Sequence, residues 1–180
     1  MNICVYCGSS NGNNPKILKA ARAFGKQIAQ NQHSLVYGGS SLGVMGTLAD
    51  SVMENGGEVI GVIPENLFSK EVAHTEITQL ITVSDMHERK SRMADLADAF
   101  VAMPGGFGTM EELFEIITWN QIGIIDKPIT LLNIQNFYDP LIQMVDQAVD
   151  TGFIKPNNRT ILQVAETVEQ CLEFCTSKQN

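Results

Sequence analysis

Positive charge is scarce in this sequence. Its 180 residues carry 12 Lys and Arg against 20 Asp and Glu, a formal net charge of −8. That balance argues against a nucleic-acid partner or an acidic membrane surface, although a local basic pocket stays compatible with it. Apolar runs of transmembrane length are lacking as well, so no membrane span is expected. Charged residues make up only 18% and hydrophobic residues 44%, the balance of a globular chain rather than a disordered one. Histidine is rare. His33, His74 and His87 show no ligand spacing, and "HERK" is not H-E-x-x-H, so no metal is expected. There are four cysteines, Cys4, Cys7, Cys171 and Cys175. No leader is evident before "NICVYCGSS", which already reads as core, so reduced thiols and a cytoplasmic location are expected. Cys4 and Cys7 form a C-x-x-C, but Cys4 falls inside a β run, where packing is the expected role.

What the sequence does have is a rhythm. Strand-like runs at 2–7, 34–38, 58–64, 80–83, 99–103 and 128–134 alternate with helical patterns at 15–30, 44–54, 85–97, 110–122, 138–150 and 164–175. The runs are short and lack polar alternation, which implies burial on both faces. This predicts an α/β chain with a doubly wound parallel sheet flanked by helices. No linker or repeat interrupts residues 1–180, which read as a single domain. The stretch from Glu65 to Gln79 is the least regular and suits a lid or a partner surface.

Ligands of such sheets sit beyond the carboxyl ends of the strands. Glycine gathers there, in "CGSSNG" (7–12), "GGSSLGVMG" (38–46) and "PGGFGT" (104–109). Glycine-rich turns let the backbone approach a ligand, and the helix N-terminus behind them favours an anion such as phosphate. None of the turns is a Walker A loop, and "GGFGTMEE" lacks the third glycine of the dinucleotide fingerprint, which disfavours a kinase or a nicotinamide enzyme.

Two residue groups stand out. "TMEE" (109–112) fits S/T-x-x-E, so Thr109 and Glu112 can be read as a capping box. A helical wheel, however, puts Met110, Leu113, Phe114 and Ile117 on one face and Glu112 nearly opposite, where it could meet a crevice. In "DMHERKSRMADLAD" (85–98), Arg89 and Lys90 fall on the apolar stripe with Met86 and Met93. Either their stems snorkel, or the cations point inward and need an anionic partner, a carboxylate or a phosphate.

"PGGFGTMEE" and "MHERKSRM" resemble the PGGxGTxxE and M-H-x-R-K-x-x-M signatures of the LONELY GUY (LOG) family, once labelled lysine decarboxylase-like. The likeness extends to "CVYCGSSNG", "LVYGGSSLGVMG", "GEVIGVIP" and "TWNQIGIIDKPITLLNIQNFYDPL", most of the chain. It implies a Rossmann-like fold and a homodimer. It implies hydrolysis of the N-glycosidic bond of adenosine 5′-monophosphates, N6-modified ones included, giving a free base and ribose 5-phosphate without a cofactor. By the same resemblance, Arg89 and Glu112 would be the catalytic pair. Glu71, Lys90 and Thr118 would line the nucleotide site. So would Gly105, Gly106, Gly108 and Thr109 of the turn, with Met110 and Glu111 behind them. Whether Arg89 holds phosphate or orients Glu112 stays open. A nucleotide-binding module without catalysis is the alternative; it would keep the glycine turns without needing Arg89 and Glu112 together. A pyridoxal-phosphate decarboxylase would need a Schiff-base lysine, and Lys90, the only lysine in a motif, has the neighbours of an ion contact.

Overall fold

The computed structural model describes residues 1–68 and 73–177. The chain runs β1 (Asn2–Tyr6), α1 (Pro15–Gln30), β2 (Ser34–Tyr37), α2 (Gly43–Glu54) and β3 (Glu58–Pro64). It continues through β4 (Gln79–Val83), α3 (Met86–Leu96), β5 (Ala99–Ala102) and α4 (Phe107–Gln121). It ends with β6 (Ile129–Leu132), α5 (Asp139–Asp150), a single turn α6 (Pro156–Arg159), β7 (Leu162–Ala165) and α7 (Val168–Thr176). Among the described residues the seven strands form one sheet in the order β4-β3-β2-β1-β5-β6-β7. Every pairing is parallel. The doubly wound α/β expectation therefore holds.

Strand burial explains the missing alternation. The central strands β5 and β6 are buried at every position, whereas the edge strand β4 is buried only at Val83. One apolar layer, under α1, α2 and α7, includes Phe24, Ile28, Leu48 and Cys171. The other, under α3, α4 and α5, includes Met93, Leu113, Ile116 and Tyr138. Helix α1 shows how local sequence sets an element. Asn14 caps it by accepting from the Lys16 N–H, and Pro15 starts the first turn. Ile17, Ala21, Phe24 and Ile28 then recur on one face. Gly25 lets α2 approach closely, since a Cβ there would lie 2.7 Å from the Leu48 carbonyl oxygen.

Three features depart from the sequence reading. The segment expected to be a helix over 164–175 begins as β7, a four-residue strand, and α7 starts only after the Thr167 cap. So short a strand beside a helix offers too few residues for a period-2 signal. Helix α4 starts at Phe107 rather than Met110, with Gly106 as its cap residue and no side-chain cap bond. The capping box read at Thr109 and Glu112 is therefore absent, because both residues lie inside the helix. A carboxylate cap does occur at α3. Asp85 accepts from the N–H groups of His87 and Glu88, and Glu88 accepts from Ser84 N–H at 2.8 Å. Finally, the buried face of α4 contains Thr109, Glu112, Leu113 and Ile116, while Phe114 is exposed.

The chain winds outward from β1 to β4 and returns on the other side of β1 with β5. The strand order thus switches between β1 and β5, where a crevice forms beyond the carboxyl ends. The turns after these strands touch. Gly8 N–H donates to the Pro104 carbonyl at 3.2 Å, and Met45 N–H to the Gly8 carbonyl at 3.1 Å.

Candidate active site

A crevice of about 330 Å³ opens at the switch point. The turn after β1 supplies Cys7, Gly8 and Ser9; α2 supplies Met45; α3 supplies Met86 and Arg89. The remaining wall is the first turn of α4, from Gly106 to Thr109, with Glu112 behind it and Leu67 at the rim. A second, more apolar lobe of about 250 Å³ shares Gly8, Ser9 and Gly106 with the first. It continues between Ile17, Val44 and Phe137.

Arg89 and Glu112 meet at the buried side of this crevice. The Arg89 Nη1 and Glu112 Oε1 atoms are 3.4 Å apart, and each side chain is only 7% exposed. Arg89 thus points inward rather than snorkelling. Its remaining groups are held by strand ends: Nε donates to the Val62 carbonyl at 3.1 Å and Nη2 to the Gly38 carbonyl at 3.3 Å. Nη1 also reaches the Met86 sulfur at 3.3 Å. A charge this deeply buried is tolerated because it is paired and hydrogen-bonded. The negative charge of Glu112 is felt on β1. Burial first, then this carboxylate, pushes the Cys7 and Cys4 thiols up beyond their ordinary range. All four cysteines are free and buried, in line with a packing role for the C-x-x-C.

The first turn of α4 completes the wall. Met110 N–H makes the bond back to the Gly106 carbonyl at 3.2 Å, so the N–H groups of Phe107, Gly108 and Thr109 precede the helical ladder. This end of the helix favours an anion. Thr109 is 4% exposed and packs over Gly105, where a Cβ would lie 2.1 Å from its hydroxyl oxygen. Gly106 and Gly108 are different, since a Cβ at either would meet nothing within 4 Å. Phe107 projects at the mouth, 93% exposed.

Lys90 and Thr118, also expected at the nucleotide site, do not line this crevice. Lys90 is 9% exposed at its side chain but faces α4, where its Nζ meets Glu111 Oε1 at 2.5 Å and Glu115 Oε1 at 3.0 Å. Burial alone would lower its pKa, but the hydrogen bonds it donates to Glu111 and Glu115 outweigh it and hold the ammonium above its usual value. Met110 is half-buried beside the wall. Thr118 sits about three turns along α4 in a separate groove with Phe114, Ile117 and Val145, its hydroxyl donating to the Phe114 carbonyl at 2.7 Å. Glu71 lies outside the described residues. Of its stretch, His74 pairs with Asp50 at 2.9 Å and its N–H donates to the Gly39 carbonyl. Sequence reasoning did not single out Met45, Met86 or Ser9 as crevice residues; apolar and small side chains carry no distinguishing chemical signal.

A buried Arg–Glu pair beside an anion-favouring helix end, at the switch point of a parallel sheet, defines a Rossmann-like α/β protein with a small-molecule crevice. The protein-family model described as "Possible lysine decarboxylase" matches residues 45–175. The chain is 48% identical over 168 residues to the cytokinin riboside 5′-monophosphate phosphoribohydrolase LOG of Oryza sativa subsp. japonica, covering 93% of this chain and 69% of that protein. It is 46% identical over 172 residues to the phosphoribohydrolase LOG2 of Arabidopsis thaliana, covering 96% and 81%. The chain belongs to the LOG family. Among solved structures it resembles the Moco carrier protein of Chlamydomonas reinhardtii, with 26% identity, a TM-score of 0.71, and 95% and 92% of the two chains covered. It also resembles a molybdenum cofactor binding protein of Rippkaea orientalis, at 25% identity and a TM-score of 0.70, covering 96% and 93%.

Proposed function

We propose that this protein hydrolyses the N-glycosidic bond of adenosine 5′-monophosphates, N6-modified ones included, releasing the free base and ribose 5-phosphate. The observation that carries the reading is the Arg89–Glu112 pair, buried at the crevice beside the N-terminus of α4. Names of relatives at 46–48% identity support it. The 5′-phosphate would lie against the first turn of α4. Cleavage of the C1′–N9 bond develops positive charge on the ribose. The Glu112 carboxylate stabilises that charge and orients or deprotonates the attacking water. Arg89 already donates to Val62 and Gly38 and pairs with Glu112, which favours orienting the carboxylate over binding phosphate.

A binding module without catalysis is the second reading, and the likeness to a cofactor carrier at 26% identity speaks for it. The crevice itself speaks against it, because a carrier has no use for a carboxylate held rigidly by a buried arginine. The decarboxylase label fits poorly for a related reason. A Schiff-base lysine must lose its proton, and Lys90 is held protonated by two carboxylates. Among the described residues no group of three or more His, Cys, Asp or Glu side chains could hold a metal ion, and none has a helix long and apolar enough to cross a membrane. We also place the protein in the cytoplasm, as a single-domain homodimer. The test is product analysis by chromatography after incubation with AMP and with N6-isopentenyladenosine 5′-monophosphate. Adenine or isopentenyladenine should appear with ribose 5-phosphate; nucleotides bound but returned intact would favour the carrier.

A further inference from the structure

Helix α3 offers two consecutive cations, and they diverge. Arg89 turns to the strand ends and to Glu112, while Lys90 turns to α4 and meets Glu111 and Glu115. Glu111 and Glu115 are one turn apart on α4, and Glu112 follows Glu111 directly. Adjacent residues of α3 therefore grip adjacent residues of α4. Such a double grip fixes both the rotation and the height of α4 against α3, and so the direction in which Glu112 points. Arg89 lines the crevice, whereas Lys90 does not contribute to its walls.

We infer that Lys90 is a positioning residue for the proposed hydrolysis, acting through Glu111 and Glu115 rather than by touching the nucleotide. The inference rests on Glu112 being the reacting carboxylate of that proposal. It assigns Lys90 two effects. One is geometric, the grip on α4. The other is electrostatic: Lys90 offsets two carboxylates beside Glu112, which would otherwise make that side chain harder to ionise. Among the described residues, the other groups packed near Glu112 do not take over this role. On α3, Arg89 is already committed to Glu112. On β1 and its turn, Cys4, Tyr6 and Cys7 are pushed up by burial and stay neutral across the working range. Strand β5 brings no ionisable side chain. On α4 itself, only Glu111 and Glu115 flank Glu112 with charge.

The test is Lys90→Met, read by AMP hydrolysis over a range of pH and by carboxyl-carbon NMR titration of Glu112, assigned through Glu112→Gln. Lys90→Met should lower kcat by about 10-fold while KM for AMP changes less than about 2-fold. The acid limb of the kcat profile, and the Glu112 titration, should move up by about one pH unit. Lys90→Arg should recover most of both effects. If Lys90→Met does not fold, Glu111→Gln/Glu115→Gln gives the opposite sign: with Lys90 kept and the two carboxylates gone, Glu112 should titrate lower. The NMR titration needs no turnover, so it judges the inference even if AMP is not hydrolysed, in which case only the proposed function fails. A Glu112 titration unmoved in both variants overturns the inference. A KM for AMP raised at least about 10-fold by Lys90→Met, with kcat and the acid limb unchanged, does so too and makes Lys90 a phosphate contact.

Discussion

Gly38 lacks a side chain where the Arg89 guanidinium lies. A Cβ on Gly38 would stand 1.9 Å from Arg89 Nη2 and 3.2 Å from the Met45 sulfur. The carbonyl of the same glycine accepts from that Nη2. The end of β2 thus serves Arg89 twice, by the space it leaves and by the acceptor it offers. Gly38→Ala should push the guanidinium away from Glu112. AMP hydrolysis should fall by about 100-fold, the scale of losing an oriented catalytic group. Steady-state kinetics check this; near-normal kcat/KM would show that Arg89 need not stay where it is.

Glu112→Gln separates charge from shape. The amide keeps the size of the carboxylate but removes its charge. The variant should hydrolyse AMP roughly 100-fold more slowly or worse. It should also lose about 1–3 kcal/mol of stability, because the buried Arg89 is left without its counter-charge. The two effects are read by single-turnover kinetics and denaturant unfolding. A stable variant with ordinary turnover would remove Glu112 from the reaction.

The fold was legible in the sequence because parallel strands buried on both faces leave continuous apolar runs, as in "AFVAM" and "PITLL". Strand β7 was not, since four residues beside a helix carry no period of their own. At the site, the place of Arg89 and Lys90 on the apolar stripe of α3 was legible, while the choice between snorkelling and pointing inward needed the structure, which buries both. Their partners were not legible. Which carboxylate each cation meets depends on the rotation of α4, and the helical wheel misjudged that by putting Met110, Leu113, Phe114 and Ile117 on the core face, where the structure buries Thr109, Glu112, Leu113 and Ile116. Glycine at 106, the cap position, starts the helix three residues early. Glu112 is then carried to the sheet-facing side with Leu113 and Ile116, which no local motif shows.

The 5′-phosphate should be required. The helix end beside Glu112 offers N–H groups and a positive dipole, and contacts to the phosphate would hold the sugar for cleavage. Adenosine should be cleaved at least about 100-fold less efficiently than AMP, the loss expected from roughly 3 kcal/mol of charge-assisted contacts. Comparable kcat/KM values for the two substrates would place the anion site elsewhere.

A second copy of the chain should cover the outer face of α4 and α5. Ile122 and Ile124 are each 61% exposed, Met144 53% and Phe153 90%, and Phe114 borders the nearby groove that holds Thr118. Large apolar side chains left exposed on α5 and just beyond the ends of α4 and α5 suit an interaction surface. Light scattering at micromolar concentration should give twice the chain mass of 19.7 kDa. A monomer mass would refute the dimer.

Gly108 offers the most discriminating test of where the phosphate sits. It is the second residue of α4, and the protein does not require a glycine there, because a Cβ would meet nothing within 4 Å. Alanine suits a helix better, so Gly108→Ala should stabilise the fold by about 0.5–1 kcal/mol. The melting temperature should rise by about 1–4 °C for a chain of this length. The same methyl group would project beside the crevice wall that Gly108 lines, where a bound phosphate must approach the backbone. KM for AMP should therefore rise about 10-fold, with kcat changed less, since the methyl obstructs binding rather than Glu112. Gain in stability with loss in affinity is what a glycine kept for a ligand produces, and packing alone produces neither. If Gly108→Ala melts higher and binds AMP as before, the phosphate does not rest on this turn, and Ser9 and Ser10 in the adjoining lobe become the next donors to replace.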